Sequence, residues 1–221
     1  YSPNTSPVLL LDAFAEDKRA IKNIAGWTDY WRNVSDGRIM ASLGDFYADF
    51  KVLKEMVEHG NKSEQRLAEK FLDDLDADLN SKGLFCDSRL FYSSGFEVHI
   101  VHHFGCTIPK LIKVIKTIAP VYTGMDIANM ARLSYGDTFL QALFNTLDRP
   151  SQIIQTLEFI TDRSSKEICC WTAEINGPLP RANYPERVTW LGKHSDVFAL
   201  NCEGPPSVEH FTARARGVRV K

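Results

Sequence analysis

The sequence predicts a single α+β domain, in which a helical N-terminal two-thirds encloses one β-hairpin and a C-terminal antiparallel sheet follows. Three observations support this prediction. Apolar residues recur at helical spacing over most of the first two-thirds of the chain, but a run ending at Cys106 alternates with a period of two. Short β-rich runs separated by turn-forming residues fill the chain after Lys166. With 44% apolar residues among 221, the chain has enough apolar surface for a continuous core.

The composition restricts the partners and the compartment. A formal charge of -2 gives the molecule no long-range field to attract nucleic acid or anionic lipid, so such a partner needs a local patch. The five cysteines include no pair separated by two residues, which disfavours a zinc ribbon and predicts reduced thiols in a cytoplasmic protein. Sequons at Asn4, Asn33 and Asn61 leave secretion as the alternative. No apolar run approaches the roughly 18 residues of a membrane span, so we expect no membrane partner.

The domain organisation follows from the change of pattern along the chain. Residues 1–7 are a polar, turn-forming stretch that we expect to be a flexible tail, and residues 8–221 are then the single α+β domain. A subdivision near residue 166, where the pattern changes from helical to β, is the alternative. We prefer one domain because a lone hairpin among helices needs further strands beside it.

Seven apolar stripes predict helices over about residues 8–34, 44–60, 62–80, 109–119, 125–133, 138–147 and 151–162. The first contains the aromatic cluster around Trp27, which we expect in the core. Gly60 is placed for a left-handed end of the second helix. Asn61 with Glu64 resembles a capping box at the start of the third helix.

The third predicted helix carries four aspartates, Asp73, Asp74, Asp76 and Asp78. A calcium loop is excluded because the glycine required at its sixth position is absent and the leucine spacing continues through the acids. We therefore expect a solvated acidic face, which could recognise a basic partner.

Two groups of β-rich runs predict strands. Residues 84–93 and 96–104 predict a β-hairpin around the turn Ser94-Gly95. The C-terminal sheet is predicted from four short runs, over about residues 168–175, 187–191, 197–202 and 209–220. Their short connections favour antiparallel pairing.

The second strand of the hairpin has an unusually polar face, which carries Glu97, His99 and His103. Glu97 and His99 are about 7 Å apart on such a face, whereas His103 needs a bend to join them. With a further ligand from His194 or Cys106, they would form an open zinc or iron site. An acid–base pair without a metal, or a polar strand surface satisfied by its neighbours, are the other interpretations.

The last eleven residues carry four cations and no acid, namely Arg214, Arg216, Arg219 and Lys221. Arginine side chains on one side of an extended strand suit the phosphates of a nucleic acid, or the carboxylates of a protein partner or of the acidic helix. The alternative is an edge strand that is charged to resist pairing. A second basic row is expected to be a solvated helix face, with Lys110, Lys113 and Lys116.

No local motif for catalysis is present in the sequence. It has neither the nucleophile elbow of a hydrolase nor a glycine-rich phosphate loop. The sequence therefore predicts a non-catalytic binding or assembly protein without a cofactor, whose basic C-terminal strand contacts nucleic acid or an acidic protein. The alternative is a metal-dependent enzyme with zinc or iron at Glu97, His99 and His103. Convergence of these three side chains with His194 would favour the enzyme.

Overall fold

The structure is a computed structural model. It describes residues 22–35, 37–93, 97–119, 124–161, 167–172, 186–194, 196–204 and 213–219. Within these ranges the chain forms six α-helices and ten β-strands. The predicted tail at residues 1–7 and the C-terminal Lys221 lie outside the described residues.

The helices are α1 (Ile24–Asn33), α2 (Leu43–His59), α3 (Lys62–Ser81), α4 (Ile127–Met130), α5 (Gly136–Leu143) and α6 (Pro150–Thr161). The strands before residue 160 are β1 (Arg38–Met40), β2 (Leu84–Tyr92), β3 (Glu97–His102), β4 (Lys113–Ile118) and β5 (Met125–Asp126). The later strands are β6 (Glu167–Thr172), β7 (Glu186–His194), β8 (Val197–Gly204), β9 (Arg214–Ala215) and β10 (Gly217–Arg219).

Most strands belong to one sheet, in the order β4-β3-β2-β7-β8-β6-β5. Neighbouring strands in this path are antiparallel except for β6 and β8, and β9 runs parallel to the start of β2. Because β2 pairs with both β3 and β7, strands from both sides of residue 166 lie in one sheet. Strands β1 and β10 form a separate antiparallel pair.

The main core lies between this sheet and α2, α3, α5 and α6. We call the side of the sheet that these helices cover the helix face; Leu90, Val98 and Ile100 belong to it. Helix α1 packs on the opposite face, where Trp27 and Trp31 contact a smaller cluster of buried residues. The indole N–H of Trp27 donates to the carbonyl of Ala213 at 2.7 Å, which attaches α1 to the residue before β9.

The α+β class with a mostly antiparallel sheet is confirmed, but the helical N-terminal two-thirds was wrong in detail. Strands β2, β3 and β4 all lie in this part of the chain. The predicted helix over residues 109–119 is a single 3-10 turn, Pro109–Leu111, followed by β4. The apolar run there fits both the helical period and the strand period. Its β-branched residues favour a strand once β3 is available as a partner.

Helices α2 and α3 confirm the two strongest helix predictions. The Asn61 side chain accepts the amides of Ser63 and Glu64, and Glu64 accepts the amide of Asn61, which completes the predicted capping box. The predicted left-handed Gly60 was wrong, because its φ is -70°. A glycine is needed there for space, since a Cβ would lie 2.3 Å from the carbonyl oxygen of Met56.

The capping box gives a first test of the fold. Asn61→Ala should lower the free energy of unfolding by about 1 kcal/mol, because two first-turn amides lose their acceptor. Urea unfolding followed by circular dichroism measures the change. Ser63→Ala is the matched control and should change stability by less than about 0.5 kcal/mol. Equal losses in both variants would contradict the capping role.

Candidate functional site

The polar face of β3 begins with two partly exposed side chains, Glu97 and His99. His99 Nε2 lies 3.4 Å from Glu97 Oε1, and Lys116 Nζ on β4 lies 2.5 Å from Glu97 Oε2. The hydrogen bond from Lys116 is the main cause that holds the pKa of Glu97 below its ordinary value. The Glu97 carboxylate therefore already has a cation of the protein as its partner.

His103 does not share this arrangement. Strand β3 ends at His102, and His103 has a left-handed φ of 56°, so the alternation of side chains stops there. Its Nε2 lies 3.5 Å from Asp45 Oδ2 in the first turn of α2. His194 lies at the exposed end of β7, opposite Val197. Over the ranges that the structure covers, no three His, Cys, Asp or Glu side chains are grouped to hold a metal ion.

His102 is fully buried on the helix face, as its place in the alternation predicts. Its Nε2 lies 2.9 Å from the carbonyl oxygen of Ala142 and must carry the proton, because a carbonyl only accepts. Its Nδ1 then accepts from the Ser88 hydroxyl at 2.9 Å, and Ser88 accepts the amide of Leu43. Burial lowers the pKa of His102 to about 4. This closed pair joins α2, α5 and the sheet, and no substrate can reach it.

Asp87 and Arg89 were missed by sequence reasoning, since their only signal was a polar residue type inside a β-rich run. Asp87 is buried and accepts the amide of Gly105 at 2.9 Å, and burial raises the pKa of Asp87 above its ordinary value. Arg89 is also buried, with its Nε 3.6 Å from Glu186 Oε1. The cavity beside Asp87 has a volume of about 20 Å³, which is room for about one water molecule.

Two of the C-terminal arginines bind the acidic helix. Arg216 donates from Nε and Nη2 to Asp78 Oδ2 at 3.0 and 2.6 Å, and Arg214 Nη1 donates to Asp78 Oδ1. The Arg216 guanidinium also lies 4.9 Å from the ring centre of Phe71. Asp78 is therefore buried and not part of a solvated face. Of the other two predicted cations, Lys221 lies outside the described residues, and Arg219 has only its backbone described, in β10.

Strand β4 lies at one end of the sheet and pairs with β3 on one side only. No strand among the described residues pairs with its other side, which we call the β4 edge. Val114 and Ile118 are 60% and 45% exposed, and they point away from the helix face. An open edge with exposed apolar side chains is uncommon, because it invites pairing with another chain.

A groove runs beside the β4 edge on the helix face. Its volume is about 380 Å³, and it is lined by Lys113, Ile115, Lys116, Thr138, Gln141, Ala142, Asn145, Thr146 and Leu147. Leu147 is 95% exposed at its rim, and the Lys113 amine bonds to the Asn145 side chain. The groove therefore offers apolar contacts with a polar rim directly next to the β4 edge.

The second basic row is on this strand and not on a helix. Lys113 and Lys116 are three residues apart on β4, so their side chains extend to opposite faces of the sheet. Lys110 lies in the 3-10 turn before the strand. All three are exposed. Residues 109–119 contain no acidic residue, so the edge is positively charged.

A second cleft of about 570 Å³ lies between α2, α4, α6 and β6. Lys54 donates to both oxygens of Glu58 at 2.7 Å within this cleft. Asp126 accepts the amides of Ala128 and Asn129 and caps α4. These three charged groups thus have partners within the fold.

No protein-family model matches this chain, and comparisons with curated proteins and with solved structures found no significant match. Among the helices of the described ranges, none is long and apolar enough to cross a membrane. Function must therefore be argued from the surface of the molecule.

The buried histidine predicts a loss of stability in acid. The unfolded chain protonates this ring near pH 6.5 and the folded protein only near pH 4, so acidification between these values favours unfolding, by roughly 3 kcal/mol in total. The difference in unfolding free energy between the wild type and His102→Gln should therefore shrink as the pH falls from 6.5 to 4. Urea titrations across this range measure it. The exposed His59→Gln is the control. If the unfolding free energy of His102→Gln fell with pH as steeply as that of the wild type, the assignment would be contradicted.

The Asp78 pairs predict that the C-terminal arginines stabilise the fold. Arg216→Ala should lower the free energy of unfolding by about 3 kcal/mol, because it leaves a buried carboxylate without its main partner. Arg214→Ala should cost less, since its side chain is 20% exposed and that of Arg216 only 3%. Urea unfolding of both variants tests the order. Unchanged stability in Arg216→Ala would instead indicate a side chain reserved for a partner.

Proposed function

We propose that the protein is a non-catalytic binding or assembly protein, which takes an extended segment of a protein partner as an additional strand on β4. The observation that carries the proposal is the open β4 edge, with Val114 and Ile118 exposed on it. Addition of a strand to an exposed sheet edge is a common way to bind a polypeptide.

The backbone supplies the affinity in this binding mode. In an antiparallel pair, alternate residues direct their N–H and C=O groups to one neighbour, so β4 still has groups that face outward. Its six residues span roughly 20 Å, which is a usual strand length. A docked segment would pair these groups and remove the exposed edge.

Side chains on both faces would add to the binding. On the face opposite the helices, a docked strand would cover Val114 and Ile118. On the helix face, alternate side chains would enter the groove next to Ile115, Ala142 and Leu147. The burial of these exposed apolar groups favours association.

Other functions have less support from the contacts. Arg214 and Arg216 bind Asp78 and are not presented to a nucleic acid. Glu97 is bound by Lys116, and His103 contacts α2. The contacts thus favour a binding surface at β4 over the basic C-terminal strand or a metal-dependent enzyme.

We also propose the cytoplasm as the compartment. All five cysteines are free thiols, and four of them are buried. Unpaired thiols suit a reducing environment, because an oxidising one converts accessible pairs into disulfides.

Substitution at the β4 edge tests the proposed function. Peptides would be selected against the wild-type protein from a random heptapeptide library, and their affinity measured by fluorescence anisotropy. Val114→Gln combined with Ile118→Gln should weaken their binding at least tenfold, because the docked strand loses its apolar contacts on that face. The exposed Leu67→Gln on α3 is the matched control and should bind like the wild type.

Amide hydrogen exchange gives a second readout of the same experiment. A bound peptide should slow exchange in residues 113–118 of the wild type, because outward N–H groups become hydrogen-bonded. Failure to select any peptide, or peptides that bind the double variant as tightly as the wild type, would overturn the proposed function.

A further inference from the structure

The charges on β4 specify the chemistry of the partner. We infer that the segment that binds the β4 edge is acidic at the positions opposite Lys113 and Lys116 and apolar opposite Val114, Ile115 and Ile118. This inference rests on the proposed function and deepens it, because it names the class of partner.

Both lysines of the edge can bind a carboxylate of a partner. Lys113 bonds to Asn145, a neutral side chain, so its charge is not neutralised by this contact. Lys116 is 64% exposed, and its ammonium group has further N–H donors for a second carboxylate besides the one that bonds to Glu97. Opposite charges on directly paired residues stabilise a pair of strands, whereas like charges destabilise it.

A second copy of this chain fits the edge poorly. Antiparallel self-pairing that aligns Val114 with Ile118 of the other copy necessarily places Lys116 opposite Lys116. The apolar match is thus available only with two lysines face to face, which opposes the dimer. An acidic segment has the same apolar match without this repulsion.

The register of β4 defines the preferred sequence. For an antiparallel segment, the residues opposite positions 118 to 113 are read in that order from its N-terminus. Apolar residues opposite Val114 and Ile118 cover the exposed face, and one opposite Ile115 enters the groove. Acidic residues opposite the two lysines complete the pattern Val-Thr-Glu-Val-Val-Glu.

Three peptides with matched length and apolar residues test the inference. They are Val-Thr-Glu-Val-Val-Glu, Val-Thr-Gln-Val-Val-Gln and Val-Thr-Lys-Val-Val-Lys, each flanked by Gly-Ser and blocked at both ends. Two exposed ion pairs should make the acidic peptide bind about 3- to 10-fold tighter than the glutamine peptide at low salt. The preference should decrease as salt is added, and the lysine peptide should bind weakest.

A charge variant of the protein locates the effect. In Lys113→Gln combined with Lys116→Gln, the acidic and glutamine peptides should bind with equal affinity. Lys110→Gln, outside the strand, is the control and should keep most of the preference for the acidic peptide. A preference that survives the double variant would place the charge recognition elsewhere and overturn the inference.

The remaining outcomes separate the inference from the proposed function. Equal binding of the acidic and glutamine peptides to the wild type would overturn the inference and leave edge binding standing. No binding of any peptide, together with failure of the library selection, would overturn the proposed function itself. A dimer in light scattering that Val114→Gln with Ile118→Gln dissociates would identify a second copy as the occupant, which also overturns the acidic partner.

Discussion

Strand β2 holds the fold together, because it pairs with three parts of the chain that are far apart in sequence. Most of it lies between β3 and β7, and its first two residues lie between β7 and β9. The register with β7 shifts between Cys86 and Arg89. At this irregularity, Asp87 bonds to the Gly105 amide, while Ser88 bonds to α2 and to β3. The helices, the aromatic residues of α1 and the position of β4 all depend on this strand.

Two sets of polar groups differ in their surroundings. In the first set, buried groups bind each other, as in the contacts of Asp78 with Arg216 and of His102 with Ser88. Such groups stabilise one arrangement, because a buried polar group is costly without its partner. The lysines of β4 are exposed beside apolar side chains, on a strand edge with which no strand of the described residues pairs. The first set therefore serves the fold, and the second is accessible to another molecule.

Local signals were sufficient for part of the structure. Asn61 and Glu64 identified the start of α3, and alternation identified β3, because neighbours in sequence determine capping and strand periodicity. The apolar run of β4 fits the helical and the strand period equally, so its pairing with β3 determined its structure. The sequence offered the acidic helix as one possible partner of the C-terminal arginines, but no local pattern selects Asp78, which lies 138 positions from Arg216. The open edge of β4 follows from the order of strands in the sheet, which composition and spacing do not reveal.

The pairing of β2 with β7 has a consequence for the synthesis of the chain. Roughly a hundred residues separate the two strands, so at about 5 to 20 residues per second β2 waits several seconds on the ribosome for its neighbour. Until then the side of β2 that pairs with β7 is open, and Asp78 lacks its bonds to Arg214 and Arg216. Since β9 pairs with β2 and β10 with β1, the fold is complete only after residues 214–219 have also been synthesised. A shortened product would therefore remain recognisable to chaperones and proteases by its unpaired central strand.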